Sequence, residues 1–151
     1  MKETNLCYLF RPGQVLLAMK KRGFGVGKWN GPGGKANPGE SPVEALVREV
    51  HEEIGVTVKT SDDRGIIEFI YAGKPDSTTR CRIFSSTDFE GEPVESEEMR
   101  PQWFGVDAIP YPEMWESDGV WFPKLLADER VNYRLYFSRD VRFVKHEPLL
   151  I

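Results

Sequence analysis

GKANPGESPVEALVREVHEEIGV, residues 34–56, decides how the rest of the chain is read. Its second half predicts a helix from about Pro42 to Ile54. Ser41 suits the N-cap and Pro42 the first helical position. Glu44, three residues after Ser41, completes a capping box in which hydroxyl and carboxylate each accept the other's backbone N–H. Gly55 can adopt the left-handed conformation that ends a helix. Val43, Leu46, Val47, Val50 and Ile54 recur at helical spacing, so one apolar stripe should face a core.

The other flank of this helix carries Glu49, Glu52 and Glu53 at i, i+3 and i+4, which brings three carboxylates into one neighbourhood. Such like charges repel by a few tenths of a kcal/mol per pair. A solvated acidic face would tolerate that. A hard divalent cation would reverse its sign, since Mg²⁺ takes oxygen ligands, commonly one or two carboxylates plus substrate phosphates.

The chain has 151 residues, 40% of them hydrophobic and 29% charged, which fits one soluble globular domain spanning 1–151. A formal net charge of -4 offers no basic field for polymeric nucleic acid or for an anionic membrane, while a small polyphosphate bound through a metal stays compatible with it. The apolar run Leu6–Phe10 is too short for a signal peptide or a membrane span and reads as a strand, so a cytoplasmic location is expected. Cys7 and Cys81 have no metal-site or disulfide spacing and are expected to fill the core. His51 and His146 have no ligand partner at metal spacing.

Along the chain, Asn5–Phe10 and Val15–Lys20 read as a hairpin around Arg11–Gln14. The stretch Lys20–Gly34 mixes Lys20, Lys21 and Arg22 with glycines and with Phe24 and Trp29, and suits either a substrate-facing loop or a mobile surface loop. Arg64–Tyr71 and Thr78–Ser85 read as a strand pair, Gly91–Met99 as an acidic, turn-rich segment, and Trp103–Val106 as a short strand. Beyond Pro110 and Pro112 a second helix is expected from about Val120 to Asp128, then a hairpin of Asn132–Phe137 and Val141–Lys145. Strands on both sides of one capped helix, with a second helix late in the chain, indicate a mixed β-sheet covered on both faces.

The opening stretch also resembles the signature of the Nudix hydrolases, G-x5-E-x7-R-E-U-x-E-E-x-G-U with U aliphatic. Gly34, Glu40, Arg48, Glu49, Val50, Glu52, Glu53, Gly55 and Val56 fill every fixed position. The resemblance implies the Nudix α/β/α sandwich and hydrolysis of a nucleoside diphosphate derivative with Mg²⁺, or Mn²⁺ in its place. It implies Glu49, Glu52 and Glu53 as metal ligands together with the carbonyl of Gly33. Glu53 would contact the attacking water, with Glu98 as a second candidate for that role and for the metal, while Gly34, Glu40, Arg48 and Gly55 would hold the box in shape.

Within that family, MKKRGFG (19–25), GKWNGPGGK (27–35), VESEEMRPQWF (94–104) and IPYPEMWESDGVWFP (109–123) resemble the oxidised purine nucleoside triphosphatases of mammalian type. That likeness implies a monomeric or small homo-oligomeric enzyme converting a substrate such as 8-oxo-dGTP to the monophosphate and pyrophosphate. Base-pocket positions carry over to Asn30, Trp115 and Asp118, with Lys20, Phe24, Phe69, Met99 and Trp121 nearby. There are departures from the group's pattern. Ser117 stands where it has the first of two aspartates, Asn5 replaces a threonine and Pro32 a phenylalanine. Two other readings remain: a Nudix pyrophosphatase for a sugar nucleotide, ADP-ribose or dinucleoside polyphosphate, and a non-catalytic nucleotide-binding module, which predicts a degraded box.

Overall fold

Nine strands form one mixed sheet in a computed structural model that describes residues 1–150. In chain order the elements are β1 (Lys2–Arg11), β2 (Gln14–Lys20), β3 (Trp29–Asn30), β4 (Gly33–Lys35), α1 (Pro42–Ile54), β5 (Thr57–Tyr71), β6 (Thr79–Glu90), β7 (Met99–Gly105), α2 (Asp118–Leu126), β8 (Tyr133–Phe137) and β9 (Phe143–Pro148). The sheet runs β3-β2-β1-β6-β5-β8-β9, with β4 paired to β1 and β7 to β2. β1 runs parallel to β6 and β5 parallel to β8; the other pairings are antiparallel.

Strand alternation divides the interior into two cores, because successive side chains leave opposite faces of the sheet. Cys7 and Leu9 of β1 and Leu16 of β2 pack with Leu46, Val50 and Ile54 of α1. Tyr8, Val15 and Leu17, from the same two strands, pack on the other side with Trp121, Phe122 and Leu125 of α2. The sheet is therefore covered by a helix on each face. Both cysteines are free and buried, and burial pushes each thiol up to about 12.

Helix α1 occupies the span its caps prescribe. The Ser41 hydroxyl accepts the Glu44 N–H at 3.1 Å, Glu44 accepts the Ser41 N–H at 3.0 Å, and Gly55 ends the helix at φ 73°. Its buried stripe is shifted from the expected one. Val43 is 46% exposed, and Ala45 lies buried with Leu46, Val50 and Ile54.

Elsewhere the boundaries move. β5 begins at Thr57 rather than Arg64 and β6 runs on to Glu90, through register shifts between Val58 and Gly65 that let a polar, non-alternating run stay paired. Helix α2 begins at Asp118, two residues earlier than expected, and carries Pro123 on its exposed side. The Lys20–Gly34 segment holds two short strands instead of one continuous loop. His51 and His146 are exposed, the latter against the rings of Tyr133 and Phe143. No helix among the described residues is long and apolar enough to cross a membrane.

Candidate active site

Two glycines bring β4 against the acidic flank of α1. Gly33 has φ +154°, and a Cβ there would stand 2.0 Å from the Asn5 carbonyl oxygen, so no side chain fits. Its N–H donates to Glu53 Oε2 at 3.2 Å. A Cβ on Gly34 would fall 2.8 Å from the Glu49 carboxyl carbon. The glycines thus let backbone approach where two carboxylates must lie.

Arg48 organises the rest. Its Nε and Nη2 grip Glu40 at 2.8 and 2.9 Å, its Nη1 donates to Glu49 at 2.8 Å and to Glu52 at 3.2 Å, and Nη2 also reaches the Lys35 carbonyl at 3.1 Å. Glu40 in turn accepts the Asn37 N–H at 2.7 Å. These bonds hold the Glu40 carboxyl below its ordinary range and tie the loop 35–40 to the helix.

Glu53 is the anomalous carboxyl. Burial pushes it up to about 8, the charges of Glu49 and Glu98 push the same way, and only the Gly33 N–H opposes them. Glu98 itself is held by Arg22, at 2.6 Å from Nη2 and 3.2 Å from Nε, which keeps it below the usual carboxylate range.

Among the described residues no three carboxylates close around one point. The physical reason is local: Arg48 draws Glu49 and Glu52, Arg22 draws Glu98, and Gly33 holds Glu53. The donor set nevertheless fits a hard divalent cation: it is all oxygen, and positive charge there would offset the burial and the neighbouring like charges that push Glu53 up.

Beside the glutamates lies a cavity of about 280 Å³. Of the expected base-pocket residues, Asn30, Trp115, Asp118 and Trp121 line it, as do Lys20, Phe24, Phe69 and Met99. Two do not. Asn5 is buried on the opposite side of β1, beside Glu40 and Arg80, and its neighbour Thr4 takes the cavity side, because a strand turns successive residues to opposite faces. Ser117 is fully buried outside the lining, and its hydroxyl has no hydrogen-bond partner among the described residues. The wall also includes Lys28, Tyr71 and Cys81, none of which the motifs singled out. Tyr71 could have been found, since it continues the Ile67, Phe69 alternation.

Phe24, though 64% exposed, stacks on Trp115 with centroids 5.3 Å apart, and Lys28 Nζ sits 5.5 Å from the centre of the same indole. Asp118 is 2% exposed and accepts the Trp115 N–H at 3.2 Å. Burial pushes its carboxyl up to about 7, against the weaker pull of that N–H, the Trp121 indole and Lys28. The Trp121 N–H is close enough to act on the carboxyl without a hydrogen bond of ordinary geometry, and it has no other partner among the described residues.

Residues 3–125 match the NUDIX domain. The chain is 46% identical over 147 residues to the oxidized purine nucleoside triphosphate hydrolase of Danio rerio, covering 97% of this chain and 93% of that one. It is 46% identical over 125 residues to the protein of the same name from Mus musculus, covering 83% and 80% respectively. The MutT protein of Bacillus halodurans superposes with a TM-score of 0.86 at 30% identity, over 97% of both chains. With the box complete and the match running through most of the sequence, this chain belongs to the NUDIX family.

Proposed function

We propose that this protein hydrolyses oxidised purine nucleoside triphosphates, such as 8-oxo-dGTP, to the monophosphate and pyrophosphate, acting in the cytoplasm as a monomer or small homo-oligomer. The observation that carries the reading is the pairing of a buried Asp118 with Asn30 in a cavity walled by Trp115, Phe24 and Trp121, beside the glutamates of the box. The relatives from Danio rerio and Mus musculus, both called oxidized purine nucleoside triphosphate hydrolases, support it.

The aromatic faces suit a planar purine, and the amide and carboxyl can read its edge. Oxidation at C8 turns purine N7 from an acceptor into an N–H donor, so a buried acceptor can tell the damaged base from the intact one. A site built to hydrogen-bond one edge rejects an analogue lacking it by ~10⁴–10⁵-fold.

Glu49, Glu52, Glu53 and Glu98, with the Gly33 carbonyl, would hold Mg²⁺, or Mn²⁺ in its place. A divalent cation there supplies charge neutralisation on the phosphoryl oxygens and a more acidic water. Glu53, ionised once a bound cation offsets its burial beside Gly33, would accept the proton of the attacking water. Lys20, on the cavity wall, provides positive charge toward the phosphates.

Ser117 is where substrate breadth should change. A hydroxyl outside the cavity lining replaces one of two carboxyls, so one oxidised base should be favoured over another. The test is kcat/KM for 8-oxo-dGTP, dGTP and 2-hydroxy-dATP, with Mg²⁺ and with EDTA, scoring pyrophosphate against phosphate. Metal-dependent preference for an oxidised purine with pyrophosphate released is the expected result. Indifferent turnover of all three would refute the proposal, and equal efficiency on the two oxidised substrates would refute the narrowing by Ser117.

A further inference from the structure

The cavity's reader Asn30 is not free to choose which end of its amide it shows. Its Oδ1 accepts the Tyr8 hydroxyl at 2.8 Å and the Gly31 N–H at 2.9 Å. A backbone N–H can only donate, so the atom facing it must be the carbonyl oxygen, and the two donors together occupy both of its lone pairs. Whatever Asn30 offers the cavity must come from Nδ2.

Tyr8 cannot move aside. It is fully buried, its ring stands 5.1 Å from Phe122 and 5.9 Å from Trp121 between centroids, and a Cβ on Gly31 would fall 2.9 Å from its Cζ. With one face under Gly31 and the other against α2, the hydroxyl is set beside Asn30. Turning the amide round would put NH₂ against the Gly31 N–H, leaving that buried donor without an acceptor, and would force the Tyr8 hydroxyl to turn from donor to acceptor.

We infer that Tyr8 is a specificity-determining positioning residue, whose hydroxyl takes the second lone pair of Asn30 Oδ1 and, together with the Gly31 N–H, pins the amide so that the cavity presents a donor at that point. The inference rests on the proposed function, and it narrows the substrate class. The favoured purine carries an acceptor, such as a 6-carbonyl, where it meets Asn30, and one with an amino group there is disfavoured. Tyr8 touches no substrate in this role and acts through Asn30 alone.

The test is Tyr8→Phe, which keeps the ring and removes the hydroxyl, assayed with 8-oxo-dGTP and 8-oxo-dATP. Both carry the oxidised C8 edge and a triphosphate; they differ at C6 (carbonyl against amino), at N1 (N–H against bare nitrogen) and at C2 (amino against hydrogen), so the readout is the change in their ratio between wild type and variant. The ratio of their kcat/KM values should shift toward the 6-amino substrate by about tenfold, the scale of one misplaced hydrogen bond. The shift should appear in KM with kcat little changed, and calorimetric affinity for the two monophosphate products without metal should move in parallel. In an Asn30→Ala background Tyr8→Phe should add nothing to the ratio.

A ratio unchanged within twofold in the folded variant, or the same shift with Asn30 already removed, overturns the inference. If Tyr8→Phe does not fold, Asn30→Asp decides. One oxygen would stay under Tyr8 and Gly31 while the other presents an acceptor, so the preference should invert; an unchanged preference overturns the inference. A wild-type protein that turns over neither triphosphate overturns the proposed function and this inference with it. Wild-type turnover with an unmoved ratio overturns the role of Tyr8 alone.

Discussion

Replacing Asp118 by asparagine should stabilise the protein at pH 7.5 and leave it nearly unchanged at pH 4. The carboxyl is 2% exposed and burial raises it from 3.8 to about 7, so between those values the native state keeps a proton that the unfolded chain has released. Wild-type stability therefore falls as pH rises through that window and levels off above pH 7. At ~1.4 kcal/mol per pKa unit, the accumulated cost above pH 7 is at most about 4 kcal/mol. Asparagine avoids the charge and can still accept the Trp115 N–H. For a chain of this size each kcal/mol moves Tm by ~2–4 °C, so the gain over wild type should open by several degrees between pH 5 and pH 7.5. Thermal or urea unfolding of both proteins across pH 4–8 measures it, and contributions from other groups cancel in the difference. Two curves that stay parallel over the whole range would refute the claim that Asp118 is held protonated by burial.

Glu53→Gln should lower kcat by ~10²–10⁴-fold. Because glutamine mimics the protonated carboxyl that burial already favours, metal-free Tm should not fall; a variant with near-wild-type kcat would remove Glu53 from the mechanism. Gly33→Ala should cost roughly 3 kcal/mol or more, since a Cβ 2.0 Å from the Asn5 carbonyl forces β4 off β1, and an unchanged urea midpoint would contradict this geometry. Ser117→Ala should be neutral or stabilising by up to ~1 kcal/mol, as the lost hydroxyl is buried without a partner. A clear loss of Tm in that variant would reveal a bond the hydroxyl makes in solution.

Helix α1 could be read from the chain because its signals are local: capping box, left-handed glycine and 3.6-residue period all lie within residues 41–55. Its exact buried stripe could not, since whether Val43 or Ala45 meets the sheet depends on how the helix is seated, and seating is tertiary. The polar run from Thr57 to Asp63 hid half of β5, because a strand that bulges repeatedly has no period-2 pattern to find. At the site, residue types and spacing singled out the glutamates, and likeness to relatives pointed to eight of the residues that line the cavity. What sequence could not supply was the partner of each carboxylate. Arg22 reaches Glu98 only because the segment 95–98 folds back beside residues 20–22, a contact between distant parts of the chain. Asn5 and Thr4 differ by one strand position, and of the two only Thr4 reaches the cavity wall.

The parallel pairing of β1 with β6 also governs when the cavity can exist. Lys2 meets Thr79 and Leu9 meets Ser86, so β1, once made, waits for a partner that follows α1 and β5. The wall formed by Thr4, Leu6 and Cys81 closes only at that point, and Trp121 and Asp118 arrive later still. Such distant pairings are slow to form, and no early fragment contains a nucleotide site. A nucleotide that bound the finished protein and no precursor would draw the folding equilibrium toward completion by mass action, so that ligand would act on the yield of folded chains as well as on their work.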